Sequence, residues 1–345
     1  MQKVAIIGHF AFGHKAANGQ TIKTKILAEA LEKEFSEKQV LKIDTYGGIK
    51  ALIKSPIQVF SALKKAQNVV ILPAHNGVRI FGRLLPLFNK FFKNRKIHYV
   101  VIGGWLPKLL KSKKQLANAL KKFDGIYVET NTMKNALVAQ GFQNIIVMPN
   151  CKELNILSSD ELVYSQEAPY KLCIFSRVSK EKGVEDAVNV IKTINEKEGK
   201  VLFSLDIYGQ VDAGQEEWFN NLQKSFPDYI KYGGVIQFDK SVEVLKTHFA
   251  LLFPTRFYTE GIPGTIIDAY AAGLPVISAE WESCFDIVNE NVGYTYKMGD
   301  LNQLSEVLYQ IANNPENILN KKTQCLKEAQ AYKTTTVIKI LTDKM

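Results

Sequence analysis

The stretch ALLFPTRFYTEGIPGTIIDAYAAGLPVIS, residues 250–278, decides the fold. Its first apolar run, ALLFP, reads as a buried strand, and TRFYTEGIPG is the loop at that strand's carboxyl end. GTIIDAYAAG is then a helix stopped by Gly273, and LPVIS is the next strand. Near-continuous apolar strands joined through helices belong to a parallel sheet covered on both faces.

The same alternation runs outward from this unit. KLCIFSR, VLFSLDIYG and IKYGGVI precede it, each followed by an amphipathic stretch, and GYTY follows it. In the first half KVAIIG, VLKID, NVVILP, IHYVVIG, GIYVE and NIIVMP alternate with stretches such as TIKTKILAEALEKEF. Residues 150–169 are polar and end in proline, which breaks the pattern. The expected fold is therefore α/β, with two doubly wound Rossmann-like domains facing across a cleft. The expected boundaries are 1–165 and 166–329, with a carboxy-terminal helix at about 330–345 packing back on the first domain. Ligands of such sheets sit beyond the carboxyl ends of the strands, so the cleft is the expected site.

Charge divides the chain along the same line. Residues 1–150 carry 24 Lys and Arg against 7 acids, a balance of +17, whereas residues 151–345 carry 20 against 27, a balance of −7. Between Asp44 and Asp124 there are 16 basic residues and no acid. The first half is read as built to meet something anionic, because the alternative, a solvated surface of a lysine-rich proteome, would touch both halves. The four cysteines are far apart and form no CxxC pair, which argues against a disulfide framework or a zinc site and fits a reducing cytoplasm. MQKVAIIGHF is too short an apolar run for a signal peptide, and no 18 apolar residues follow one another, so neither secretion nor a membrane span is expected.

In the opening stretch Glu260 lies in the loop and Asp268 about one turn into the helix. Gly264 lets a ligand approach the backbone, and the free amides around Thr265 make an anion site. Acids cannot bind a phosphate, but they accept hydrogen bonds from hydroxyls. Phosphate at the helix start between two acids describes a sugar nucleotide, with ribose on one acid and sugar on the other. For Asp268 alone, an acid favoured by the helix dipole is the alternative. Cations must offset the acids, and FSRVSKEKGVEDAV supplies Arg177 and Lys182.

Arg177 and Lys182 five apart, with Glu260 and Asp268 eight apart before AYAAGLPVI, resemble the carboxy-terminal domain of retaining glycosyltransferases of family 4, which have the GT-B fold. The resemblance is specific over about residues 170–298 and architectural over the first half. It implies that Arg177 and Lys182 hold the donor diphosphate, Glu260 contacts the transferred sugar, and Asp268, one methylene shorter than the family's Glu, contacts the ribose. The implied catalytic set is Glu260, Arg177 and Lys182. The donor set adds Gly19, Gly209, Val235, Ile236, Gly264, Thr265 and Asp268, with the base recognised through backbone near Val235 and Ile236. Asn18-Gly19 stands where the family has a glycine-rich loop, Gly19 opening a helix toward the diphosphate. Gly103 stands where family members often carry a His, and His9, His14 and His75, on loops at strand ends, are the candidates to replace it on the acceptor side. Otherwise each is a polar surface residue.

No DxD motif occurs, so transfer without a metal or other cofactor is expected, with Arg177, Lys182 and the helix start neutralising the departing nucleoside diphosphate. The donor expected is a UDP- or GDP-sugar. RLLPLFNKFFKNRK and LPKLLKSKKQLANALKK combine Leu and Phe with Lys and Arg, as expected of helices on an anionic bilayer. No nucleic-acid-binding motif accompanies the basicity. The resulting expectation is a retaining glycosyltransferase, cytoplasmic and peripheral at the inner membrane face, acting on a lipid-linked or other glycan acceptor in bacterial surface-polysaccharide assembly. The alternatives are a non-catalytic partner of the same fold that binds glycan or nucleotide sugar, and an epimerase, which would need more acids and a base near the sugar.

Overall fold

The computed structural model describes residues 1–14, 19–48, 53–92 and 95–345. Asn18, of the Asn18-Gly19 pair, and Lys93, of the basic run, lie outside the described residues. The chain divides into two compact units, Met1–Glu153 with Tyr332–Met345, and Leu154–Ala331.

The first unit runs β1 Gln2–Gly8, α1 Gly19–Phe35, β2 Val40–Asp44, α2 Ser55–Lys65, β3 Ala66–Ile71 and α3 His75–Phe88. It continues with β4 Lys96–Val100, α4 Leu106–Lys111, α5 Lys114–Leu120, β5 Gly125–Val128, α6 Asn131–Val138 and β6 Ile145–Val147. All strand pairings are parallel, in the order β2-β1-β3-β4-β5-β6. Successive side chains of a strand point to opposite faces. Val4 and Ile6 accordingly enter one core while Ala5 and Ile7 enter the other, and all four are at most 1% exposed. Burial on both faces is what makes the strand sequences read as unbroken apolar runs.

The second unit runs β7 Tyr170–Phe175, α7 Val184–Glu198, β8 Phe203–Tyr208, α8 Glu216–Gln223, β9 Ile230–Gly234 and α9 Ser241–Leu245. After these come β10 Ala250–Phe253, α10 Gly264–Ala271, β11 Val276–Ala279, β12 Gly293–Tyr296, α11 Leu301–Asn313 and α12 Glu316–Ala329. The sheet is again parallel, ordered β12-β11-β10-β7-β8-β9. Counted from its own first strand this is the 3-2-1-4-5-6 order of dinucleotide-binding folds. The order reverses between β7 and β10 here, and between β1 and β3 in the first unit. At such a reversal neighbouring loops diverge to opposite faces and leave a crevice.

The last helix, α13 Thr334–Thr342, belongs to the first unit, where Val337, Ile338 and Leu341 join the core around Leu27 and Leu31 of α1. The boundary between units departs from the composition shift, because residues 154–165 belong to the second unit. Leu157 is buried and its amide donates to the Ala271 carbonyl at 3.0 Å, while the Tyr164 hydroxyl donates to the Pro315 carbonyl at 2.8 Å. Two anchors dock a polar segment whose composition reads as a linker.

Candidate active site

In the second unit Arg177, Lys182, Glu260 and Thr265 lie on the segments that follow β7 and β10, the strands between which the order reverses. Gly209 instead follows β8, and Val235 and Ile236 follow β9 at the sheet edge. After β7 the chain passes Arg177, makes a tight turn over Lys180–Lys182, and enters α7 through Gly183 at φ 67°. A Cβ on Gly183 would stand 1.9 Å from the Pro254 carbonyl oxygen, so only glycine lets this turn press against the end of β10. That approach brings the Lys182 ammonium onto the Glu260 carboxylate. The Thr255 hydroxyl donates to the same carboxylate oxygen at 3.1 Å, and the Lys182 ammonium lies 5.5 Å from the centre of the Phe253 ring. Lys182 and Glu260 are 15% and 14% exposed, so both partners are shielded, whereas the neighbouring pairs each keep an exposed arginine.

Arg177 is different in kind. It is 68% exposed and forks onto both oxygens of Asp212, at 2.9 and 3.1 Å. A second fork, from Arg256 to Asp186 at 2.6 and 2.7 Å, ties the loop after β10 to the first turn of α7. The Arg256 amide also donates to the Glu181 carbonyl at 2.8 Å, so the two loops are stitched along their length.

Helix α10 begins at Gly264 with no side chain capping its start. The Thr265 hydroxyl donates to the Phe175 carbonyl, which fastens the first turn of α10 to the end of β7. Asp268, on the same helix, is 5% exposed. Gly209, after β8, has φ 135°, and a Cβ there would lie 1.8 Å from the Ser176 carbonyl oxygen. Glycine at that position is thus required by close passage of the loop after β7. Val235 and Ile236 follow β9, and Val235 is exposed.

Asp212, Thr255 and Arg256 complete this constellation and were not expected from sequence. Asp212 lies 35 positions from its partner with no motif around it, and Thr255 and Arg256 are adjacent residues of a loop. Gly183 carries one sequence signal: a glycine that closes a short turn supplies the left-handed backbone which ends it.

In the first unit the loops flanking the β1/β3 reversal carry the histidines. His9 Nδ1 lies 2.7 Å from the Thr21 hydroxyl, and the rings of His9 and His14 pack on Tyr46 at 5.1 and 4.5 Å. The loop is held by Asp44, whose carboxylate accepts from the amides of Phe10, Ala11, Phe12 and Tyr46. Partial burial opposes that charge, yet the four amides prevail and keep the carboxyl below its ordinary range. Gly19 is the first residue of α1, with nothing within 4 Å of where a Cβ would stand.

His75 is not in a loop: it is the first residue of α3. Its ring stacks on Trp105 at 3.9 Å, and burial together with Arg79 lowers its pKa. Gly103, at φ 78°, faces the same indole, since a Cβ there would lie 3.4 Å from Trp105 Cδ1. His75 and Gly103 therefore share a neighbour, whereas His9 and His14 gather on Tyr46. Among the described residues no group of three or more His, Cys, Asp or Glu converges as a metal site would require.

The pair of parallel six-stranded units is the architecture of GT-B glycosyltransferases. The structure is similar over 99% of both chains to HepE of Anabaena in complex with UDP, with TM-score 0.75 and 12% identity. It is also similar to S. aureus TarM in complex with Fondaparinux, alpha-GlcNAc-glycerol and UDP, with TM-score 0.66 and 16% identity, over 85% of this chain and 58% of TarM.

Residues 169–314, most of the second unit, match the family described as glycosyl transferases group 1. The amylovoran biosynthesis glycosyltransferase AmsK of Erwinia amylovora is 22% identical over 156 residues, 44% of this chain and 38% of AmsK. The chain thus matches well under half the length of that curated relative.

Proposed function

We propose that the protein is a retaining, metal-independent glycosyltransferase of family 4. It moves a sugar from a UDP- or GDP-sugar to a lipid-linked or other glycan acceptor in the assembly of a bacterial surface polysaccharide. The observation that carries this reading is the half-buried Lys182–Glu260 pair at the β7/β10 reversal, beside the uncapped start of α10. An ion pair shielded from water at a strand-order reversal costs desolvation that packing alone does not require. A donor diphosphate would recruit Lys182 and Arg177, freeing Glu260 to accept from a sugar hydroxyl while Asp268 accepts from the ribose. Asp212 is then the counter-ion that holds Arg177 until phosphate replaces it.

In the transfer step the acceptor oxygen bonds to the anomeric carbon as the bond from that carbon to the phosphate oxygen breaks. Approach from the leaving-group face lets the departing phosphate oxygen take the acceptor's proton. Lys182, Arg177 and the amides of α10 stabilise the charge that develops there. His75, stacked on Trp105 beside Gly103, is the first unit's candidate for the histidine missing at Gly103.

The membrane reading is supported by exposed apolar side chains in the basic first unit. Ile53, Ile57 and Phe60, at helical spacing on and just before α2, are 73%, 75% and 51% exposed. Leu87 and Phe91, at the end of α3 and beyond, are 51% and 79% exposed. Phe60 packs on Phe92 at 5.4 Å, which joins the two groups, and Lys54, Lys64, Arg83 and Lys90 stand exposed among them. Apolar side chains within a basic rim are suited to an anionic lipid interface. The sequence assignment is corrected in two respects. The leucines of α4 and α5, Leu106, Leu109, Leu110, Leu116 and Leu120, belong to the core, so LPKLLKSKKQLANALKK offers lipid only charge. Arg95 and Lys96 donate to the carbonyls of Leu63 and Lys344, so both also hold the fold. Among the described residues no helix is long and apolar enough to cross a membrane.

The test is a panel of UDP- and GDP-sugars incubated with the full chain and a lipid-linked acceptor extract, with the anomeric configuration of the product read by NMR. The expected result is an α-product from an α-donor, formed equally after exhaustive EDTA treatment. An inverted product, or activity restored only by Mg or Mn, overturns the corresponding part of the proposal. Donor binding with neither hydrolysis nor transfer to any acceptor favours the non-catalytic partner.

A further inference from the structure

Strand β12 is one edge of the second sheet, and a groove runs beside it. Two adjoining hollows of about 420 and 350 Å³ share Glu290, Tyr294, Gln310 and Lys321. Each falls within the range of about 300–1,000 Å³ usual for small-molecule sites. The groove opens at the amino end of β12, whereas the candidate donor loops leave the carboxyl ends of β7 and β10. None of the donor candidates lines it.

Its chemistry is that of carboxamides. Asn317, Asn320 and Gln324 fall on one face of α12, and Gln310 of α11 lines the same groove. Among the described residues the side-chain amides of these four make no hydrogen bond to protein, and all four residues are exposed. Each presents a donor and an acceptor, the complement of sugar hydroxyls. The floor is aromatic: Tyr294 lies half-buried, and Phe285 stands 66% exposed at one end.

Charge in the groove is already committed. The Lys321 ammonium lies 4.5 Å from the centre of the Tyr294 ring and donates to the Glu290 carbonyl, and burial lowers its pKa. With this cation engaged and Glu290 offering a carboxylate, the groove suits neither phosphate nor nucleic acid, which call for clusters of Lys and Arg. A peptide strand adding to the sheet would find an edge of only four residues, Gly293–Tyr296.

We infer that this groove binds a neutral, hydroxyl-rich oligosaccharide, at a site separate from the one proposed for the nucleotide sugar. The amides of α11 and α12 engage hydroxyl pairs, and the Phe285 ring meets an apolar sugar face. The experiment uses the full chain on an array of neutral and anionic oligosaccharides, followed by calorimetry on the best-bound neutral one with and without saturating UDP. Asn320→Ala/Gln324→Ala and Phe285→Ala test the groove, and Glu260→Gln serves as the donor-site control. Because the groove side chains are exposed, both variants should keep the wild-type melting temperature. At least one neutral oligosaccharide is expected to bind, about tenfold more weakly in the double variant. UDP and Glu260→Gln should leave that binding unchanged. The inference is overturned by binding of anionic oligosaccharides only or of none, by full binding in the groove variants, or by competition from UDP. No transfer is measured, so this outcome is independent of the proposed activity.

Discussion

The two units share a sheet architecture and differ in what they place at the strand-order reversal. In the second unit the loops after β7 and β10 meet through ions: Lys182 on Glu260, Arg256 on Asp186, and Arg177 on Asp212 close by. In the first unit the loops around β1 and β3 carry rings: His9 and His14 on Tyr46, and His75 on Trp105. The same crevice topology thus carries two different chemistries. Ion pairs that can be exchanged suit a diphosphate, while aromatic and imidazole surfaces suit a largely uncharged partner. Much of the first unit's positive charge sits instead on and beside α2 to α5, with exposed Ile57, Phe60 and Phe91 on or next to α2 and α3.

The sharpest way to break this comparison is within the charged reversal. Lys182→Ala removes one of the two cations proposed to hold the donor diphosphate, and losing one partner of such a desolvated charge contact costs about 2–5 kcal/mol. Transfer should fall at least about a hundredfold. Arg177→Ala, at a 68% exposed side chain, should cost closer to tenfold. Steady-state kinetics that place Arg177→Ala at or above Lys182→Ala would show that exposure misjudges which cation holds the donor.

Acid should separate the units next. His98, on β4, is fully buried, its Nδ1 accepting from the Tyr127 hydroxyl at 3.1 Å, and burial lowers its pKa to about 4. The unfolded chain binds the proton more tightly, so the first unit loses stability as pH falls from about 6.5 to 4, on the order of 3 kcal/mol. In the second unit burial works against the Asp206 charge, but hydrogen bonds from His248 and Lys171 hold its pKa at about 2. Stability from Asp206 is present above the unfolded carboxylate value and is lost only as pH falls from about 4 to 2. Hydrogen exchange across an acid titration should therefore show the first unit opening before the second, and the reverse order would refute the assignment. His98→Gln should lessen the first unit's loss.

The lipid-facing role proposed for the first unit is tested by Ile57→Ser/Phe60→Ser/Phe91→Ser. Each exposed side chain that enters the interface contributes up to about 1.5–3 kcal/mol, and each nearby Lys or Arg about 1 kcal/mol. The variant should sediment with anionic liposomes at least about tenfold less than wild type at low salt, with transfer to a soluble acceptor unchanged. Wild type should leave the liposomes in 1 M NaCl, where the Debye length is about 3 Å. Liposome binding that persists in the variant would assign adhesion to charge alone.

The smallest effect belongs to Lys322, buried in the second unit with its ammonium on the His248 carbonyl at 3.0 Å. Burial lowers its pKa to about 8, so the unfolded chain binds the proton more tightly and stability rises with pH from about 8 to 10.5. Lys322→Met should remove that rise and stabilise the unit at neutral pH by on the order of 1 kcal/mol. A melting curve with the same pH dependence in variant and wild type would locate the titration elsewhere.

The sequence by itself determined the architecture, because strands buried on both faces must read as apolar runs and the helices between them must be amphipathic. It also brought out Arg177, Lys182, Glu260 and Gly264, since residues at the carboxyl ends of strands fall at loops of predictable place. The tertiary structure alone decided which of these meet. Pairing Lys182 with Glu260 depends on Gly183 passing within contact of Pro254, and pairing Arg177 with Asp212 spans loops with no shared motif. It decided, too, that residues 154–165 dock on the second unit, that the leucines of α4 and α5 are core, and that Ile57 and Phe60 face outward. Periodicity reveals that a helix has an apolar face but not whether anything covers it, because cover comes from residues distant in the chain.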